Sequence, residues 1–426
     1  MKLTRRTCLL GGASALGAAT IPALGSRRSL STSPVSHLAL ASATQQTQDL
    51  LVVVFLRGGC DGLHLVAPVD DPHYVAARPS YLRVQERGEE AGLPLGHAPA
   101  DFDFRLHAAA PELKELYDSG DLAIIHACGL THSTRSHFEA QTFMELGAAT
   151  DKTLTTGWLT RVLAASQAET AAMLPAVAIN SGVPLALLGL PTAVAINHLE
   201  DFTLPGEDHY TQVLQQLYQG NSAVHQAGVR LLDAVGAIHS VATPALWEEL
   251  EHTGAYSEEF GEELGYGLRT IATLAKLDVG LTTATIDYGD WDTHVEQGWQ
   301  FYDRVRGLSQ SLMGFYEDVR RYRDRVTVLV MTEFGRRLRA NESEGTDHGF
   351  GTVMLALGDR VNGGRIYGQW PGLATEQLDR GTDLAITTDF RTVLSEYLAK
   401  RTPRADPAVV FPDLAPSDAL DIFQAS

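Results

Sequence analysis

The chain has 426 residues, of which 52 are acidic and 33 basic, giving a formal net charge of -19. That balance argues against a general nucleic-acid binder, because phosphate attraction needs a basic surface. A hydrophobic share of 44% excludes a disordered or collagenous chain and leaves enough apolar material for a large core.

The N-terminus places Thr4-Arg5-Arg6 before a short Ala/Gly-rich run from Cys8 to Gly25. This pattern resembles a twin-arginine export signal, and the run is too weakly hydrophobic to read as a stable membrane span. Residues 26–48 are rich in Ser, Thr, Ala and Gln and read as a linker, so 1–48 form a signal and linker. No acidic residue precedes Asp49, so cleavage near 25 or 43 would leave a still more acidic chain. The expected location is the periplasm or beyond, with the twin-arginine translocase as a transient partner and no membrane span after cleavage. Two cysteines follow the signal, Cys60 and Cys128, which leaves room for one disulfide.

From 49 onward the reading is a single α/β domain ending at 426. D-L-L-V-V-V-F-L at 49–56 fits a strand buried on both faces, and R-G-G-C-D-G follows it at once, putting Asp61 on a strand-end loop. A helical pattern at 109–118 leads to a second buried strand at 122–128. T-H-S-T-R-S then opens a helix that starts H-F-E-A-Q, so Ser133 and Ser136 flank a helix N-terminus. Short strands are expected at 175–180 and 192–197, and a mostly helical insertion over about 208–278. The runs at 281–287, 325–332 and 352–358 read as further strands, with a helix over 300–322. Strands alternating with helices predict a doubly wound, mostly parallel sheet flanked by helices. The runs at 50–56, 122–128 and 325–332 are expected to be neighbouring parallel strands.

Polar groups recur at one kind of position. Asp61, Ser133, Ser136 and His137, Asp292 and His294, and Glu333 follow predicted strands, and Asp347-His348 precede one. In a parallel sheet the strand carboxyl ends share an edge, where α/β proteins place their sites. Asp61, Asp292, Glu333 and Asp347 offer carboxylate oxygens and His137, His294 and His348 offer imidazoles, the donors that zinc or manganese takes, enough for one or two divalent ions. Ser133 or Ser136 sits beside His137 at the helix start, where backbone N–H groups and the helix dipole favour an oxyanion. Each group also has a plainer reading. Either serine could simply cap the helix, Asp61 could be a turn residue, and Glu333 could pair with Arg336 or Arg337. No G-x-G-x-x-G fingerprint follows a strand, which argues against a dinucleotide enzyme.

R-G-G-C-D-G-L-H at 57–64, S-H-F-E-A-Q at 136–141, G-W-L-T-R at 157–161, D-T-H at 292–294, T-E-F-G-R at 332–336 and D-H-G at 347–349 occur in order. Together they resemble the exported bacterial proteins of domain-of-unknown-function family 1501, over about residues 50–400. That family is similar in fold to the alkaline phosphatase and sulfatase superfamily. The resemblance implies an alkaline-phosphatase-like fold and a metal-dependent hydrolase of phosphate or sulfate esters, acting on an anionic small molecule or polymer. It also implies metal ligation by Asp61, Asp292, His294, Glu333 and His348, and a catalytic hydroxyl at the helix start, where Ser133, Thr134 and Ser136 compete beside a catalytic His137. Cys60 lacks the downstream Pro and Arg of the sulfatase-modification motif. The alternative is a non-catalytic envelope or binding protein on a degenerate hydrolase scaffold.

Export is testable from the sequence alone. Changing Arg5 and Arg6 together to Lys preserves charge but removes the guanidinium forks, and should retain the protein in the cytoplasm. Cell fractionation reads the result, and normal accumulation outside the cytoplasm would refute the signal assignment.

Overall fold

The computed structural model describes residues 49–98, 100–150, 152–166, 172, 174–197, 208–241, 254–256 and 259–425. The signal and linker reading at 1–48 falls outside the described residues.

A mixed sheet of nine strands organises these residues. They are β1 (Leu50–Leu56), β2 (Leu122–Gly129), β3 (Ala176–Ile179), β4 (Val194–Ala195), β5 (Thr283–Tyr288), β6 (Val326–Thr332), β7 (Thr352–Leu357), β8 (Ile366–Tyr367) and β9 (Thr388–Asp389). The order across the sheet is β8-β2-β7-β6-β1-β5-β3-β4, with β9 also paired to β2. β1 lies in the middle, parallel to both β5 and β6, so its seven apolar residues are all buried. This is the situation that a continuous β-branched run encodes.

Alternate residues of β1 feed two separate cores. Leu50, Val52, Val54 and Leu56 join one cluster, and Leu51, Val53 and Phe55 the other. Helices cover both faces. Leu264, Leu268 and Ile271 of Glu262–Lys276 and Phe301, Val305 and Leu308 of Gln297–Asp318 pack in the first cluster. Phe143 of His137–Leu146 and Phe390, Val393 and Leu394 of Phe390–Arg401 pack in the second. The molecule is thus a doubly wound, mostly parallel sheet flanked by helices. In the stretch read as a helical insertion, helices span Asp208–Leu217, Ala223–Val241 and Glu262–Lys276. The last of these packs against β5 and β3 as part of the helical layer. No helix among the described residues is long and apolar enough to cross a membrane.

Strand neighbours differ from expectation in one place. β1 and β6 are parallel neighbours, but β2 is separated from β6 by β7, which runs antiparallel to both. The connection between β6 and β7 contains no helix. Without a crossover the chain can only return antiparallel. The result still serves the site: residues entering β7 lie at the same sheet edge as the residues leaving β1, β2, β5 and β6.

Cys60 and Cys128 are both free and buried. They belong to the two cores on opposite faces of the sheet, which accounts for their not pairing.

Buried histidines add a pH-sensitive element. Val66 O lies 2.8 Å from His126 Nε2, and Nδ1 accepts from Ala127 N–H at 2.8 Å, so the neutral ring is fully satisfied. Burial pushes both His126 and His107 down to about 4. The unfolded chain titrates near 6.5 and takes up protons first. Stability from these rings is therefore complete above about pH 6.5 and lost as pH falls through about 4, on the order of 3 kcal/mol for each. Urea unfolding from pH 7.5 to 4.5 should show this decline, and His126→Asn should flatten it. An unchanged slope in the variant would contradict the assignment.

Candidate metal centre

Five strand ends supply the site. The loop after β1 carries Arg57 to Asp61, and that after β2 carries Ser133, Arg135 and Ser136. His137 opens the helix α1 (His137–Leu146). The loop after β5 carries Asp292 and His294, that after β6 carries Glu333 and Arg336, and Asp347-His348 precede β7. Successive tight turns in D-W-D-T-H, where Thr293 N–H donates to Trp291 O and His294 N–H to Asp292 O, hold Asp292 and His294 on one side of the loop.

The centre is a convergence of imidazoles. His348 Nε2 lies 3.0 Å from His137 Nε2 and 2.9 Å from His294 Nε2. Asp292 Oδ1 lies 3.0 Å from His294 Nε2 and 3.1 Å from His348 Nε2, and Asp292 Oδ2 is 3.4 Å from His137 Nε2. His137, Asp292 and His348 each offer a ligand atom, and these three atoms all lie within 4.8 Å of one another.

The opposite ring nitrogens explain the orientation. His137 Nδ1 is 2.8 Å from the Glu333 carboxylate, and His348 Nδ1 is 2.8 Å from the Arg135 carbonyl. Both oxygens only accept, so each Nδ1 carries the proton and each Nε2 presents a lone pair inward. His294 Nδ1 faces Asp347 Oδ1 at 3.4 Å. Inward lone pairs at this spacing repel one another unless a cation lies between them. Tetrahedral zinc–nitrogen bonds of about 2.0–2.1 Å would set ligands roughly 3.3 Å apart, close to the spacing of His348 from His137, His294 and Asp292. The donor set therefore fits a metal, with oxygen acceptors behind the imidazoles as metal sites use them.

Charges in the site follow from these contacts. The Glu333 hydrogen bond holds His137 above the ordinary imidazole range, while burial draws His348 below it. Burial pushes the Asp292 carboxyl up, but the Arg336 charge and hydrogen bond outweigh it and hold it below its usual value. Glu333 behaves alike: burial opposes ionisation, yet hydrogen bonds from His137, Gln141 and the Gly58 N–H keep the carboxyl low.

The residues expected from sequence take different places. His137, expected both as an imidazole donor and as a catalytic group, lies with Asp292 and His348, and His294 lies beside the latter two. Glu333 is fully buried and faces the back of the His137 ring. Asp347 accepts from Asn341 and lies 3.7 Å from Arg337, behind His294. Asp61 contacts none of the histidines of the cluster; its carboxylate is paired with Arg78 and caps the short helix Gly62–Leu65. Ser136 is the exposed N-cap residue of α1 and makes no side-chain cap bond, while Ser133 is exposed nearby. Burial and the neighbouring Asp61 push the Cys60 thiol well up, which removes it as a nucleophile. Glu333 does not pair with Arg336, whose partner is Asp292 at 2.6 Å. Gln141 was a missed member. It sits four residues after His137, one helical turn on, and donates to Glu333 at 2.8 Å.

Arg336 holds the loops in place. Its buried guanidinium donates to the carbonyls of Gly58, Gly59, Trp291 and Thr346 as well as to Asp292. Gly58 makes this approach feasible: at φ +121° its backbone passes so close that an added Cβ would fall 2.5 Å from Asp292 N. Arg336→Met should strand four acceptors and a carboxylate and cost about 3–5 kcal/mol, and Arg336→Lys should recover only part of it. Urea unfolding measures both, and a loss below about 1 kcal/mol would show that the guanidinium is dispensable.

Comparison with solved structures finds Ps i-CgsB in complex with k-i-k-neocarrahexaose at 8% identity and TM-score 0.39, covering 88% of this chain and 75% of that one. The PsFucS1 sulfatase from Pseudoalteromonas sp. is similar at 10% identity and TM-score 0.34, covering 76% of this chain and 65% of that one. No curated protein sequence matches the chain. The family described as "Protein of unknown function (DUF1501)" matches residues 155–410, well over half the length, and the chain belongs to that family.

Proposed function

We propose that this chain is an exported, metal-dependent hydrolase of phosphate or sulfate esters. The observation that carries the reading is the inward convergence of three imidazole nitrogens beside one carboxylate, with oxygen acceptors behind the rings. A divalent ion there, zinc or manganese by donor type, would supply a Lewis acid that polarises an ester oxygen and lowers the pKa of a hydroxyl.

The chain's own residues do the rest. His137, His294, His348 and Asp292 bind. Glu333 and the Arg135 carbonyl fix the tautomers of His137 and His348. Three neutral imidazoles leave a bound dication largely uncompensated, since the single carboxylate is shared with Arg336. The pocket would therefore attract an anion, which suits an anionic small-molecule or polymer ester despite the acidic surface. Ser136 stands one residue from His137 at the start of α1, where helix N–H groups favour an oxyanion, and is the hydroxyl we assign as nucleophile.

A second reading has one observation in its favour. Neither the Ser133 nor the Ser136 hydroxyl makes a hydrogen bond to a base among the described residues, and activated nucleophiles usually have one. On that reading the chain binds metal and an anionic ligand without turnover.

His294→Ala with His348→Ala separates the outcomes. The double variant should remain folded by circular dichroism, lose bound metal by elemental analysis, and lose hydrolysis of aryl phosphate or aryl sulfate. Full metal retention would refute the site. Metal in the parent without turnover of either ester would favour the binding protein.

A further inference from the structure

Two carboxylates that the family resemblance assigns to metal are already fully engaged by protein. Asp61 is buried and faces Arg78, also buried, through two oxygens. Arg78 Nη1 lies 2.8 Å from Oδ2 and Nη2 donates to Oδ1 at 2.9 Å. Asp61 Oδ1 also accepts from His64 N–H at 3.2 Å, and Oδ2 from Gln297 Nε2 at 2.7 Å. Arg78 in turn donates Nε to Leu338 O at 2.9 Å and Nη2 to Arg337 O at 3.1 Å, which anchors it from behind.

Glu333 is equally committed. Its Oε1 accepts from His137 Nδ1, Gly58 N–H and Gln141, and its Oε2 from the Thr332 hydroxyl at 3.1 Å. A cation at either carboxylate would have to displace buried donors and leave them unpaired. The centre formed by His137, Asp292 and His348, with His294 beside the latter two, carries no such burden: its imidazole nitrogens present unprotonated lone pairs to one another.

We propose that the site holds one divalent cation, not a pair, and that the Arg78 guanidinium permanently fills the charge role a second cation would have beside Asp61. The inference rests on the reading that the histidine cluster binds metal. Asp61 is then a positioning residue. Through Gln297, whose Oε1 accepts from the Thr346 hydroxyl, it braces the segment before His348. Thr346 N–H also bonds Thr293 O, so the same brace reaches the loop of Asp292 and His294. This departs from a two-metal clamp, in which both the attacking and leaving oxygens are held by ions.

The test counts ions in the whole exported chain. Purified protein is stripped with chelator, titrated with zinc chloride by calorimetry, and its bound zinc measured after desalting. The parent should bind one equivalent. Asp61→Asn should still bind one equivalent, with affinity weakened by no more than about tenfold, the lower end of outer-layer effects on metal sites. His348→Ala should bind none. Two equivalents in the parent would overturn the inference while leaving the metal reading intact, and zero equivalents would overturn both. Should Asp61→Asn fail to fold, cobalt(II) substitution of the parent keeps the question decidable. A spectrum from one isolated cobalt ion supports the inference, and magnetic coupling between two ions overturns it.

Discussion

A single buried guanidinium sets the geometry on which the site depends. Arg336 reaches carbonyls from the loop after β1, the loop after β5 and the segment before β7, and it is itself anchored after β6. Three stretches of chain distant in sequence, around Gly58, Trp291 and Arg336–Thr346, are therefore tied to one planar group with fixed donor directions. No Lys could do this, because an ammonium is a point charge without a fork. The same group neutralises Asp292 from behind, so the carboxylate stays ionised beside the histidines rather than taking up a proton.

Around that anchor the polar groups are sorted by burial. Glu333 and Asp61 are inside and matched by donors, Gln297 is inside and donates to Asp61 while accepting from Thr346, and Asp292 is half-exposed and shared. Buried charges persist only when their lone pairs are matched, and these are. What remains open at the surface is the set of imidazole nitrogens. Specific chemistry is concentrated there because the other charged groups nearby already have partners.

The sequence displayed the sheet well and the site in part. Continuous apolar runs such as Leu50–Leu56 announce buried strands irrespective of partners, so β1, β2, β5, β6 and β7 were legible from periodicity. Which strand lies beside which was not, because the antiparallel return of β7 depends on a loop conformation with no periodic signal. Strand-end placement drew His137, Asp292, His294, Glu333, Asp347 and His348, together with Asp61, Ser133 and Ser136, towards one sheet edge. It could not say which donors face inward. Glu333 and Asp292 are both strand-end carboxylates, and only their partners distinguish them: His137 Nδ1 and Gln141 for one, Arg336 for the other. The engagement of Asp61 is equally hidden. Arg78 lies in a separate segment with no motif of its own, and the pair exists only once Leu338 and Arg337 carbonyls hold the guanidinium in place.

The helix-free return between β6 and β7 also bears on how the site assembles. Glu333, Arg336, Asp347 and His348 lie on one hairpin-like excursion, cross-linked by Gly335 N–H to Phe350 O and by Gly349 N–H to Gly335 O. Bringing the ends of a short excursion together costs little chain entropy, since closure grows only with the logarithm of length. Half of the site thus lies within one local excursion of the chain. Asp292 and His294 are brought from across β1 by a longer closure, so the contacts between the two halves join segments further apart in sequence. Those contacts join Arg336 to Asp292 and His348 to His294. The edge that carries the site is thereby tied to the pairing of β5 with β1 at the centre of the sheet.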